Sequence, residues 1–178
     1  MIRIINFVFI IFFLSLVKAY SLIEIDITRG NLDPLPIAVS PLFQDDSSKR
    51  NSINELKIEN VGSEISLVVE NNLKISGLFN PLSKEAFLQK PDIAHLKPRF
   101  EDWALIKAQA LITGKVTIED KKLKVEFRLW DILAGREMMA LAFTTVPSNW
   151  RRVGHIISDK VYERLTGEKG YFDTRIIY

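Results

Sequence analysis

The chain has 178 residues, 47% hydrophobic and 26% charged, with no cysteine and a formal charge of +2. That composition excludes a disordered polymer, a collagen-like repeat, a disulfide-stapled mini-protein and any chemistry based on a thiolate. A charge so close to zero makes no electrostatic case for a nucleic-acid partner, and the length suits one ordinary domain with a short appendage.

Residues 1–19 read as a secretory signal peptide. Arg3 supplies the positive start, Ile4 to Val17 form an apolar run broken only by Asn6 and Ser15, and Val17-Lys18-Ala19 suits cleavage before Tyr20. The run is shorter than the ~20 apolar residues of a membrane span; an uncleaved anchor is the alternative. Arg3 and Lys18 leave with the signal, so 24 basic residues become 22 against 22 acidic ones. The positive charge belongs to the signal, and export without disulfides suits a bacterial periplasm.

Leu22 to Thr28 alternates, with Ile23, Ile25 and Ile27 on one side and Glu24, Asp26 and Thr28 on the other. This is the pattern of a half-exposed strand. A segment of this kind behind a cleavage site can dock along its own sheet edge or add as a strand to another protein's sheet. Arg29 to Pro34 breaks the pattern, Pro36 to Val39 starts a short apolar strand, and Ser47 to Asn51 is the most loop-like stretch.

From about Asn54 to Leu73, Ile58, Val61, Ile65, Val68, Val69 and Leu73 fall on one stripe of a single helix. Gly62 within it costs ~1 kcal/mol relative to alanine and marks a close-packing point or a kink. Ile75 to Phe79 forms a short strand ended by Asn80-Pro81, and residues 83–100 are mixed, with a helical turn near Ser83 to Leu88. A short helix over Glu101 to Ala108 and a strand over Leu111 to Ile118 follow. After the turn at Glu119 to Lys122, Leu123, Val125, Phe127 and Leu129 alternate with Lys124, Glu126 and Arg128, giving a hairpin with one wet face. Trp130 continues on that wet face. Glu137 to Thr145 is apolar on both faces, as an interior strand would be. The last helix starts with Ser148 as N-cap, buries Trp150, Val153, Ile157, Val161 and Leu165, and ends at Gly167. The fold class is α/β, a mixed sheet with two main helices packed on one face.

The residues offer little catalysis. His95 lies in a proline-flanked loop and His155 one residue off the stripe of the last helix; neither sits at a metal-ligand spacing. Asp45-Asp46, Glu101-Asp102 and Glu119-Asp120 fall in turns or helix starts, where acids cap and solubilise. Nucleophile-elbow, phosphate-loop and dinucleotide motifs are absent from the sequence. No enzyme, cofactor or metal is expected. The weaker alternatives are a small-molecule or polymer binder using a helix–sheet cleft, with Trp130 as contact residue, and a hydrolase dependent on His155.

Leu129-Trp130-Asp131 with Gly135, the run from Trp150 through Leu165-Thr166-Gly167 to Gly170, and Phe172-Asp173-Thr174-Arg175-Ile176-Ile177-Tyr178 resemble the N-terminal domain of the TolB family. Phe79-Asn80-Pro81-Leu82 and the Ile-rich segment behind the signal are similar too. The resemblance implies an α/β domain of the anticodon-binding type in a periplasmic scaffold of the Tol-Pal system. It also implies an extreme mature N-terminus that engages the C-terminal domain of TolA, and a role in outer-membrane integrity and constriction during division. The partner-binding residues it implies are Ile23, Ile25, Asp26 and Ile27. In that family the Thr-Arg-Ile strand leads into a β-propeller that binds Pal. Propeller repeats are absent from this sequence, so Pal binding is not carried over and a truncated frame or fragment is the expectation. The implied domains are 1–19 signal, 20–33 extended partner-binding segment, 34–169 α/β body, and 170–178 the start of a linker or propeller strand.

Overall fold

The computed structural model describes residues 33–174. Its strands are β1 (Leu35–Val39), β2 (Phe43–Gln44), β3 (Phe79–Pro81), β4 (Ala110–Glu119), β5 (Lys122–Asp131) and β6 (Arg136–Thr145). Its helices are α1 (Asp46–Leu56), α2 (Val61–Ile75), α3 (Pro91–Ala94), α4 (Phe100–Leu105) and α5 (Trp150–Thr166). The sheet runs β3-β1-β4-β5-β6, with β2 pairing further along β4. β1 and β2 pair with β4 in parallel, as β1 does with β3, while β4, β5 and β6 form an antiparallel meander. The expected mixed α/β sheet is present. The signal and the alternating segment lie outside the described residues.

Strand alternation builds two cores. Ile37, Val39, Ile112, Val116, Val125 and Phe127 point to the face covered by α2 and α5, where Ile65, Val69, Leu73, Ile157, Val161 and Leu165 complete the main core. The stripe expected for the last helix is buried there, apart from Trp150, which is only half-buried. Ala38, Leu111, Trp130 and Ile132 point the other way and meet Ala94, Trp103 and Ala108, with Leu82, Phe87 and Phe100 packed around them. Segment 82–106 therefore roofs part of the second face. This corrects the reading of Trp130 as a wet-face residue: it is 8% exposed. Its Nε1–H donates to Thr113 Oγ1 at 2.8 Å, and its ring meets the edge of Phe100.

The single long helix expected from Asn54 is two helices. Asp45 caps α1, its carboxylate accepting from the Ser48 N–H at 2.8 Å, so the polar run Ser47 to Asn51 is helical. The inward residues of α1 are serines. Ser48 Oγ accepts from the Ile118 N–H, and Ser52 donates to the Ile58 carbonyl. Lys57 adopts φ 61° to end α1, and Asn60 caps α2 by accepting from the Ser63 N–H. Ile75 belongs to α2, and the following strand begins only at Phe79.

Two further expectations change. Pro147–Asn149 forms a 3₁₀ turn before α5, whose preceding residue is Asn149 rather than the expected cap Ser148. β6 ends the sheet, so it is an edge strand. Met139 and Phe143 pack toward the main core, whereas Ala140, Leu141 and Ala142 are exposed. Small apolar residues on the open face made it read as an interior strand.

Candidate functional site

The chain enters the described structure at Asp33, directly before β1, whose Leu35 N–H donates to the Leu78 carbonyl at 2.9 Å. β1 and β3 lie at the opposite end of the sheet order from β6. Ile23, Ile25, Asp26 and Ile27 lie outside the described residues, and their geometry is not assigned.

Within the described residues both histidines, Asp45, Asp46 and Asp102 are engaged in structure, while Glu101, Glu119 and Asp120 are exposed. His155 Nδ1 lies 2.9 Å from Asn72 Nδ2, and the same amide nitrogen donates to Ser158 Oγ at 2.9 Å. An amide N–H facing Nδ1 makes that nitrogen the acceptor and puts the ring proton on Nε2. Ser158 is fully buried, and its hydroxyl donates to the Gly154 carbonyl at 2.9 Å. The hydroxyl proton therefore points away from the imidazole. This His–Ser–Asn group joins α2 to α5 and lacks the geometry of an activated nucleophile.

His95 stacks on Phe43 with ring centroids 4.5 Å apart, and its Nδ1 lies 3.0 Å from the Pro91 carbonyl. Its own carbonyl accepts from Arg128 Nη1 at 3.0 Å, tying α3 to the meander. Asp102 pairs with Arg99 at 2.6 Å, Asp46 with Lys49 at 3.3 Å, and Asp120 stands in the β4–β5 turn at φ 49°. Among the described residues no group of three acidic or histidine side chains could hold a metal ion, and no helix is long and apolar enough to cross a membrane.

The reading from sequence missed a buried polar network. Gln89 is 4% exposed; its Oε1 accepts from Trp103 Nε1 at 3.1 Å and from the Arg99 N–H at 3.2 Å, and its Nε2 donates to Asp102. A glutamine in a mixed, proline-flanked stretch carries no periodic signal of this role. The network closes the second core around Trp103, and the burial of Trp130 in that core removes it as a ligand contact. The main core fills the centre of the helix–sheet interface, and a cavity of about 400 Å³ opens at its edge between β6 and α5, lined by Met139, Lys160, Glu163, Arg164 and Gly167.

The C-terminal part is clasped to α5. Asp159 accepts from the Phe172 N–H at 2.7 Å and the Asp173 N–H at 3.1 Å, while Arg152 forms a two-pronged ion pair with Asp173. Tyr171 and Phe172 meet the ring of Tyr162 at 5.5 and 5.9 Å. Residues 170–173 thus run back along the helix from its end toward its first turn.

Comparison with known proteins fits this architecture. The chain is 75% identical over 173 residues to "Tol-Pal system protein TolB" of Pelagibacter ubique (strain HTCC1062), a match covering 97% of this chain and 39% of that protein. The chain therefore spans about two-fifths of the length of that curated relative. The crystal structure of TolB from Acinetobacter baumannii superposes with a TM-score of 0.62 at 22% identity, over 79% of this chain and 30% of that one, which establishes likeness of fold. Residues 23–138 match the TolB amino-terminal domain family, and the chain belongs to that family.

Proposed function

We propose that this chain is a non-catalytic interaction module of the Tol-Pal system, exported by residues 1–19 to the periplasm. Its segment from Tyr20 to Leu32 adds as a strand to the C-terminal domain of TolA. The 75% identity to a Tol-Pal protein carries the reading. Ile23, Ile25 and Ile27 supply apolar contacts on one side of that strand, Asp26 a charged contact on the other, and main-chain hydrogen bonds the affinity. The matched family span begins at residue 23 and so includes these positions. The engaged state of His155 and Ser158 favours a scaffold over a hydrolase. Through TolA, the module supports outer-membrane integrity and envelope constriction in division. Pal is the partner of a β-propeller, and nothing within residues 1–178 is assigned to it.

Deleting residues 20–32 tests this reading. Calorimetric binding to the TolA C-terminal domain should vanish while the far-UV circular dichroism of the α/β body is retained. Unchanged affinity would refute the assignment. Intact mass of the periplasmic fraction checks cleavage before Tyr20.

A further inference from the structure

β6 is a ten-residue strand at the end of the sheet order, with one side open. Edge strands are commonly blunted by lysine, proline or a bulge, because their free main-chain groups can pair with another chain. From Met138 to Thr145 this edge carries neither a charge nor a proline, and its register shift lies at the start, beside Leu129 and Trp130. The ladder fixes which main-chain groups are free. The Ile132 N–H donates to the Gln109 carbonyl at 2.9 Å, one position beyond the pair of Ala110 and Asp131. Bonded and open pairs alternate along an antiparallel ladder. Phe127 and Leu141 therefore form a bonded pair, and the N–H and C=O groups of Ala140, Ala142 and Thr144 point away from the sheet.

The side chains of this edge match themselves in reverse. Met139, Leu141 and Phe143 share the main-core face; Leu141 is 37% exposed, and the cavity between β6 and α5 opens beside Met139. Met139-Ala140-Leu141-Ala142-Phe143 alternates large and small residues symmetrically about Leu141. A two-fold antiparallel pair sets each residue against its mirror position, a requirement this stretch meets and a foreign strand would not impose. We propose that β6 pairs antiparallel with β6 of a second copy of this chain, with the two-fold axis at Leu141. Ala140 and Ala142 then exchange main-chain hydrogen bonds with the second copy's Ala142 and Ala140. Leu141 meets its twin in an open pair, where side chains stand closest. Met139 meets the second copy's Phe143, whose ring covers the cavity beside α5. Arg136 and Glu137 fall opposite the second copy's Val146 and Thr145, so like charges do not meet across the strands. A strand-edge contact is smaller than the ~800 Å² per partner of a standard stable interface, so the pair is weak and concentration-dependent. The inference is independent of the TolA-binding segment, which lies outside the residues concerned.

The test combines sedimentation equilibrium with site-directed cross-linking of the purified chain. Between about 10 and 500 µM the average mass should rise from that of one chain toward two. Leu141→Lys sets two ammonium groups face to face and should hold the mass at one chain throughout. Because the sequence has no cysteine, Leu141→Cys carries a single thiol, and its twin lies within disulfide reach across the axis. In Thr144→Cys, on the same strand, the twin thiols stand about 20 Å apart. Mild oxidation should therefore link Leu141→Cys at least about tenfold faster than Thr144→Cys. Far-UV circular dichroism reports that each variant folds. A one-chain mass at the top concentration, equal cross-linking of the two cysteine variants, or association that survives Leu141→Lys would overturn the proposal. So would association lost on deleting residues 20–32, which would make that segment the occupant of the edge.

Discussion

Replacing Gly62 by alanine sets two effects of opposite sign against each other. Helix propensity favours alanine by up to ~1 kcal/mol. Against this, a Cβ at position 62 would stand 2.2 Å from the Leu42 carbonyl oxygen and 3.1 Å from its carbon, so the backbone must move by about 1 Å. Leu42 cannot move freely. Its side chain is 3% exposed, and its N–H donates to Ser66 Oγ at 3.0 Å, a hydroxyl that also contacts the Ser40 and Gly62 carbonyls. Overpacking costs about 1–3 kcal/mol, and losing one buried hydrogen bond a further ~1. The clash wins, for a net loss of about 2 kcal/mol. In a domain of this size that lowers Tm by about 6 °C, measurable by urea and thermal unfolding followed by circular dichroism. Asn71→Ala, on the exposed side of the same helix, isolates propensity and should be neutral or stabilising by a few tenths of a kcal/mol. A Gly62→Ala variant as stable as the wild type would show that the Leu42 loop relaxes freely and would refute the argument.

The other predictions concern charge and the C-terminal clasp. The Ser48 N–H, then the Ser47 hydroxyl, hold the Asp45 carboxyl at about 2 against an ordinary 3.8. A lowered folded-state pKa means the stabilisation is complete above about pH 4 and is lost as pH falls toward 2. Asp45→Ala should cost about 1 kcal/mol at pH 7, and the stability difference between wild type and Asp45→Asn should change only inside that acid window. A difference that stays constant from pH 5 to pH 2 would count against the cap. Asp159→Ala should abolish the hydrogen-exchange protection of the Phe172 and Asp173 amides and leave β4 and β5 amides unchanged. Retained protection would mean that aromatic packing alone holds the clasp.

Much of the fold was legible because periodicity and burial agree. The alternation of Leu123, Val125, Phe127 and Leu129 and the stripe of Val153, Ile157, Val161 and Leu165 each place one apolar face toward one core, and both sit there. Gly62 read as a close-packing point or a kink, and it is a close-packing point against the Leu42 carbonyl. The failures have a shared cause: partners supplied from far along the chain. α1 is amphipathic in hydrogen bonds rather than in hydrophobicity, because its buried Ser48 bonds to β4, seventy residues away. Trp130 stands on the face that alternation assigns to water, yet segment 82–106 folds over it. β6 looks interior by composition, while only strand order makes it an edge.

The sequence by itself determined which residues seek a core, the two main helices and the meander, and the pattern that ties the chain to its family. Those properties are local or periodic, and each residue carries its share of them alone. Only the tertiary structure decided which face is roofed, which strand is left unpaired and which buried polar atoms find partners. A hydrogen bond or a covering segment joins residues whose separation in the chain leaves no periodic trace.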